Sequence, residues 1–306
     1  MTEIKKWRNH KGIVLDALEG FDVIECETCN FKHIIPIPSS QDLNKMYRDE
    51  YYSVEKPCYL ERHRQDLDWW NMVYCQRYDA FEHNLPLDHR SVLDIGSGPG
   101  YFLLHGKNRG WKTLGIEPSD QATAHGQERG LKIINGFYSE EMAASLGTFD
   151  VIHMSNVLEH IPDPKHLIQL VRKNLAVPGL ICISVPNDYN PFQQALREVC
   201  DFQPWWVAPP HHINYFDFTS LGRLLSACGF TVIQNEASFP IDMFLLMGDN
   251  YVNNDQVGQQ CHNRRKAFEL NLSKTGSKGI MKELYQKFAD LGIGREAIVL
   301  AVTTET

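Results

Sequence analysis

Three glycines at alternate positions close the stretch Ser91-Val-Leu-Asp-Ile-Gly-Ser-Gly-Pro-Gly100. Gly96, Gly98 and Gly100 lack a Cβ, so the backbone can take positive φ and a ligand can approach its amides closely. The short apolar run ending in Asp94 reads as a strand feeding this turn, an arrangement suited to an adenosyl ligand. Roughly 20 residues later, Glu117 ends a second apolar run in Thr113-Leu-Gly-Ile-Glu117-Pro-Ser. A carboxylate there can accept from both hydroxyls of a ribose, a role that several nucleotide-binding families share. Tyr101 discriminates among them: the dinucleotide fingerprint needs Gly or Ala where this chain has Tyr, so no pyrophosphate need be cradled.

Histidines supply the proton chemistry. His160 closes Leu158-Glu159-His160, and His211 and His212 open His-His-Ile-Asn-Tyr215-Phe216. An ordinary imidazole titrates near ~6.5, which suits removal of a proton from a hydroxyl or an acidic carbon. Each also has a bland reading, as a hydrogen-bonded strut or a loop organiser. Near the N-terminus, Cys26-Glu-Thr-Cys29 has the spacing of half a zinc knuckle, and His10, His33 and Cys58 could complete it. Two plain thiols in a loop is the preferred reading of that pair.

These residues need a frame. Residues 91–185 alternate short apolar runs with helical segments, the pattern of a doubly wound α/β domain with a parallel sheet covered on both faces. Strands are expected at Ser91–Ile95, Lys112–Ile116, Leu131–Ile134, Phe149–Met154 and Leu180–Val185. Asp163 followed by Pro164 starts a helix expected to run to about residue 175. Leu67, Trp70, Tyr74, Tyr78, Phe81 and Leu85 recur at helical spacing and predict a long amphipathic helix upstream. Another helix is expected over Thr219–Cys228, followed by a strand from Phe230. A small N-terminal unit has strand-like pieces at Asp22–Cys26 and Phe31–Ile37. The division is therefore a cysteine-containing unit over 1–60, a core over 61–239, a helical insertion over 240–294 and a last core segment over 295–306.

Composition narrows the classes of function. The chain has 306 residues, 43% hydrophobic and 22% charged, enough for one sizeable core with additions. A net charge of −8 argues against nucleic acid as the principal ligand. The compact basic run Arg264-Arg265-Lys266 reads as a solvated helix face. No apolar run approaches the roughly 18 to 20 residues needed to cross a bilayer. The eight cysteines are too sparse and irregular for a disulfide framework. A soluble, cytoplasmic protein is the expectation.

With VLDIGSGPG, GIEPS and FDVIHMSNVLEHIPDP in this order, the chain resembles the class I S-adenosylmethionine-dependent methyltransferases over roughly residues 85–235. The resemblance implies a Rossmann-like seven-stranded sheet whose last strand, Glu296–Val302, is inserted antiparallel. It implies S-adenosylmethionine as cofactor, with Gly96, Gly98 and Gly100 along its methionine and ribose portion and Glu117 on the ribose. Asp94 would order the turn, and Asn156 would face the methionine moiety or else cap the next segment. Where the family often has a short polar residue for the adenine, this chain reads Asn135-Gly-Phe137-Tyr138; Phe137 either stacks on the adenine or belongs to the core. The N-terminal cysteines are similar in part to zinc-containing sugar methyltransferases, which usually carry two cysteine pairs where this chain has one.

Substrate selection is expected in the additions, and the acceptor to be a small molecule. Tyr189, Phe192, Phe202, Trp205 and Trp206 form either a lid over the acceptor or the buried side of an insert or homodimer contact. In the insertion, Met243 to Met247 are candidates for an acceptor pocket, and Lys266, Lys274 and Lys278 for a phosphate. A dinucleotide-dependent oxidoreductase and a catalytically silent cofactor-binding relative are the competing classes.

Overall fold

The computed structural model describes residues 3–39, 43, 59–274 and 278–304. The chain runs through β1 (Ile4–Trp7), β2 (His10–Leu18), β3 (Phe21–Cys26) and β4 (Lys32–Ile35), then helices Tyr59–Gln65 and Leu67–Asn84. There follow β5 (Ser91–Ile95), β6 (Lys112–Glu117), β7 (Ile133–Asn135), β8 (Phe149–Ser155) and β9 (Leu175–Pro186), with helices between them. Last come β10 (Asn214–Tyr215), β11 (Phe230–Ala237) and β12 (Glu296–Thr303), the last two separated by helices Asp242–Leu246, Asp255–Ser273 and Lys278–Asp290.

The main sheet has seven strands in the order β11-β12-β9-β8-β5-β6-β7. Its body is parallel, and β12 lies antiparallel between β9 and β11. This is the expected doubly wound α/β sheet, including its inverted last strand. Central strands bury both faces, so they read as continuous apolar runs: Val92, Leu93, Val151, Ile152, Met154, Leu180, Ile181 and Ile183 are fully buried. Burying each such side chain contributes about 1.5 to 3 kcal/mol relative to leaving it in water. Edge strand β11 alternates buried and exposed residues instead, because helices cover only one of its faces.

Local signals set several boundaries. The Asp163 carboxylate accepts from the His166 amide and Pro164 opens the helix, as the spacing predicts. That helix ends at Arg172, short of residue 175, because Leu175 already pairs with Phe149 as the first residue of β9. The expected long helix is present over Leu67–Asn84, with Tyr78 and Phe81 fully buried.

The N-terminal sheet is antiparallel, in the order β1-β2-β3-β4-β10. Its fifth strand comes from far along the chain, Asn214 pairing with His33 and Tyr215 with Lys32. The aromatic loop settles against this sheet: Trp206, Val207, Ile213 and Tyr215 share one apolar cluster with Val23, Ile34 and Leu43, and Tyr189 and Trp205 pack on it. Asp16 of β2 receives the Tyr189 hydroxyl at 2.8 Å and Arg197 through both guanidinium nitrogens at 2.9 and 3.0 Å. Of the two readings of that loop, the buried one describes these side chains.

Candidate active site

A cavity of about 940 Å³ opens at the carboxyl ends of the central strands, bounded by the glycine turn, helix Leu67–Asn84 and the insertion. Sites at this edge are general in open parallel sheets, because the loops there can be varied without disturbing the sheet. The volume is near the upper end for small-molecule sites, room for two ligands side by side.

At one end the backbone makes the site. Gly96 and Gly98 have φ of 73° and 53°, in the left-handed region that favours glycine, and both line the cavity. A Cβ on Gly96 would come within 2.5 Å of the Val157 side chain. The turn is held by Glu117, whose carboxylate accepts from the Gly98 amide at 2.8 Å and the Ser119 amide at 2.9 Å. Burial pushes the Glu117 carboxyl up to about 7, although those two amides pull it down.

Two assigned roles change here. Gly100 does not line the cavity; a Cβ there would meet Leu131 at 2.5 Å and Ile133 at 3.1 Å, so its bare backbone lets the following helix sit close. Asp94 lines the cavity without bonding to the turn, and instead accepts from His153 Nδ1 of neighbouring β8 at 2.7 Å. His153 stacks on Phe102 with ring centroids 4.1 Å apart and also lines the cavity. It stands in a strand among apolar neighbours, and its position in the sequence marked only a core residue.

Phe137 is half-buried on the cavity wall and belongs to none of the apolar clusters. Asn156 lines the cavity in the left-handed conformation with φ of 53° and donates to Glu296 Oε1 at 3.3 Å. It does not cap the short helix Leu158–His160 that follows, whose N-cap position is Val157 and which has no side-chain cap. Tyr101 also lines the cavity; its ring stacks on His63 at 3.7 Å and its hydroxyl meets His125 Nε2 at 3.1 Å.

Of the three histidines named for proton transfer, His160 alone lines the cavity. Its Nδ1 donates to the backbone carbonyl of His211 at 2.7 Å, and its ring meets His212 edge-on at 5.1 Å. His211 therefore meets His160 through its main chain, while His212 meets it through its ring and brings a nitrogen within 4.8 Å of a His160 nitrogen and the Glu159 carboxylate. Neither presents its side chain to the cavity.

The far end comes from residues for which the sequence suggested no role in a site. Glu269, 4% exposed, accepts from Trp69 Nε1 and from the Tyr285 hydroxyl, both at 2.5 Å. Arg265 lies 3.8 Å from Glu269 and 4.4 Å over the Trp69 ring. With Trp70, Arg77 and Phe239 these residues form a mixed aromatic and charged wall. The basic run is a solvated face only at Arg264, which is exposed and pairs with Asp249; Arg265 turns into the cavity and Lys266 bonds to Asp66. Lys266 and exposed Lys274 do not line the cavity, nor do Met243 to Met247, and the Lys278 side chain lies outside the described residues.

Away from the cavity, Cys26 and Cys29 are joined by His10 and His33 in one cluster; Cys58 lies outside the described residues. The seven described cysteines are free thiols. No helix among the described residues is long and apolar enough to cross a membrane.

Comparison with known proteins agrees with this geometry. A family model described as "Methyltransferase domain" matches residues 64–235, more than half of the chain. The ubiquinone biosynthesis O-methyltransferase of Actinobacillus pleuropneumoniae serotype 7 (strain AP76) is 34% identical over 108 residues, 32% of this chain and 46% of that protein. An uncharacterized methyltransferase of Mycobacterium sp. (strain KMS) is 34% identical over 107 residues, 34% of this chain and 41% of the relative. The chain thus spans less than half the length of these curated relatives. Among solved structures, the magnesium protoporphyrin IX methyltransferase from Synechocystis PCC 6803 with bound SAM superposes with a TM-score of 0.51, at 12% identity, over 87% of this chain and 100% of that one. At that identity the likeness is one of fold.

Proposed function

The chain belongs to the methyltransferase-domain family, and on that premise we propose that it transfers the methyl group of S-adenosylmethionine to a small-molecule acceptor. The observation that carries this reading is the meeting in one cavity of the Glu117-tethered glycine turn with His160 and an aromatic far wall. The bound cofactor supplies an electrophilic methyl group on a sulfonium. Gly96 and Gly98 would let it approach the turn without a clash, and the second lone pair of each Glu117 oxygen would accept from a ribose hydroxyl. Phe137 would lie against the base and Asn156 beside the methionine portion.

Methyl transfer is a direct displacement, so the protein mainly holds the acceptor in line with the methyl carbon. His160 is the group that would take the acceptor's proton. The His211 carbonyl can only accept, so Nδ1 carries the ring proton and Nε2 would be the basic atom; it lies 3.7 Å from the buried Glu159 carboxylate, which would stabilise the imidazolium once the proton is taken. The acceptor atom would bond to the methyl carbon as the carbon–sulfur bond broke with its electron pair staying on sulfur, and S-adenosylhomocysteine would leave. The far wall favours a biosynthetic intermediate with a ring-shaped body against Trp69, Trp70 and Phe239 and an anionic or hydroxylated group within reach of Arg77 or Arg265. A nucleotide-linked sugar, a glycan fragment, a lipid precursor or a natural product would meet that description.

Calorimetry with S-adenosylmethionine and with NAD, followed by labelled-methyl transfer to an acceptor panel, tests the reading. Tight binding of the sulfonium and its homocysteine product, with no NAD binding, is expected. Binding of NAD alone would replace the reading with the oxidoreductase, and sulfonium binding without transfer to any acceptor would favour a silent relative.

A further inference from the structure

Three strands of the N-terminal sheet deliver four metal-type donors to one point. His10 opens β2, Cys26 closes β3, Cys29 stands in the turn that follows, and His33 lies in β4. Their ligand atoms all lie within 4.8 Å of one another. His10 Nδ1 is 3.3 Å from the Cys29 sulfur and 3.8 Å from the Cys26 sulfur. Zinc–sulfur bonds of ~2.3 Å and zinc–nitrogen bonds of ~2.0 Å put neighbouring donors of a tetrahedral site ~3.3 to 3.8 Å apart.

A second observation points to an occupant. His33 is 1% exposed, and its Nδ1 donates to the Ile34 carbonyl at 2.9 Å. That bond fixes the tautomer, leaving Nε2 as the lone-pair nitrogen, and Nε2 is buried without a hydrogen-bond partner among the described residues. Leaving a buried acceptor unsatisfied costs about 1 to 3 kcal/mol. A ring whose one nitrogen is tied to a backbone carbonyl while the other is offered inward is the arrangement that orients a metal-bound histidine.

We propose that His10, Cys26, Cys29 and His33 bind one zinc ion as a closed structural site that ties β2, β3 and β4 together and, through the pairing of β4 with β10, braces the His160 segment. Two thiolates and two imidazoles suit zinc better than the hard cations, and four protein ligands leave no position for substrate. The brace is continuous. His33 stands opposite Asn214 across the β4–β10 pair, and the Ile34 amide donates to the Ile213 carbonyl at 2.9 Å. The Ile213 amide donates to the Glu159 carbonyl at 2.8 Å, and the Asn214 side chain donates to the carbonyls of Leu158 and Ile161 at 3.0 and 2.8 Å. Two backbone links therefore separate the proposed zinc ligand His33 from His160. The zinc assignment stands apart from the methyl-transfer reading, since it rests on none of the cavity residues.

Elemental analysis of the purified full chain is the first test, with about one zinc per chain expected. Cys29→Ser and His33→Ala should drop it below roughly a tenth, while Cys75→Ser and Cys200→Ser keep it. Should the ligand variants fail to fold, cobalt exchanged into the unaltered chain should show thiolate-to-cobalt charge transfer and the intense visible bands of a tetrahedral ion. Chelation should then speed amide exchange at Ile34 and Ile213 by about tenfold or more. A folded chain that carries no zinc and gives cobalt no thiolate band overturns the site, as does a His33→Ala chain with full zinc. Metal removal that leaves exchange over 211–217 unchanged overturns the brace.

Discussion

Each oxygen of Glu117 accepts from one backbone amide, so a single carboxylate both shapes the glycine turn and would receive a ribose. Burial holds its carboxyl near 7, far above the ordinary 4.5, so near neutrality the group is poised between its two forms. Only the ionised form accepts fully from hydroxyls, and cofactor affinity should therefore rise as pH climbs through about 7. The sign for stability is opposite. The folded ligand-free chain keeps this proton longer than the unfolded one, so its stability should fall as pH rises from about 4.5 to about 7 and level off above. Glu117→Gln should weaken cofactor binding by about 2 to 3 kcal/mol, roughly 30- to 150-fold, and flatten its pH dependence. Calorimetry from pH 6 to 8.5 reads both effects. For His160, replacement by Ala should lower kcat by about 100- to 10,000-fold with cofactor affinity held within a few-fold. Unchanged turnover in that variant would remove His160 from the proton transfer.

At the scale of elements, the aromatic loop is an adhesive on the N-terminal sheet. Trp206 is 4% exposed in the cluster joining the loop and β10 to β3 and β4, and none of the five loop aromatics reaches the cavity. Trp206→Ala should cost about 3 to 5 kcal/mol in denaturant unfolding while leaving cofactor affinity unchanged. A raised acceptor KM without a loss of stability would return the loop to the role of lid over the acceptor. The same region shows why some elements were legible and others not. Strands β5, β6, β8 and β9 carry long apolar runs because helices cover both faces, and the helix over Leu67–Asn84 declares itself by spacing. By contrast β10 is two residues long, and β1 is a partly exposed edge with no fully buried residue, so periodicity has nothing to act on. Glu117 and His160 were legible because a named motif surrounds each of them. Glu269, Tyr285 and Trp69 were not, because their meeting depends on how three helices dock, one of them distant in the chain from the other two.

That docking sets the shape of the whole molecule around the cavity. Helix Leu67–Asn84 precedes the sheet and helix Asp255–Ser273 belongs to the late insertion, yet they close together over the carboxyl ends of the strands. One tie joins the start of the first helix to the last turns of the second at Glu269, which receives Trp69 from one side and Tyr285 from the other with Arg265 alongside. Burial, and then the adjoining Glu269 carboxylate, hold the Tyr285 hydroxyl well above the ordinary phenol range, so it remains a donor at any working pH. A second tie lies beside it, where Asp66, at the N-terminus of the first helix, bonds to Lys266 and to His262 in the middle of the second. Removing the buried carboxylate while its partners stay would leave the Trp69 and Tyr285 donors and the Arg265 charge uncompensated, at a cost of about 3 to 5 kcal/mol. Glu269→Leu should therefore lower the unfolding midpoint and loosen the far wall, whereas Glu269→Gln keeps an acceptor and should cost less than half as much. Because the glycine turn and Glu117 lie at the other end, both variants should bind the cofactor within a few-fold of the unaltered chain. Any acceptor held by this wall should show a raised KM with little change in kcat, more for Leu than for Gln. Equal losses of kcat and cofactor affinity would mean that the two ends of the cavity are one mechanical unit, and that the insertion closes over cofactor as well as acceptor.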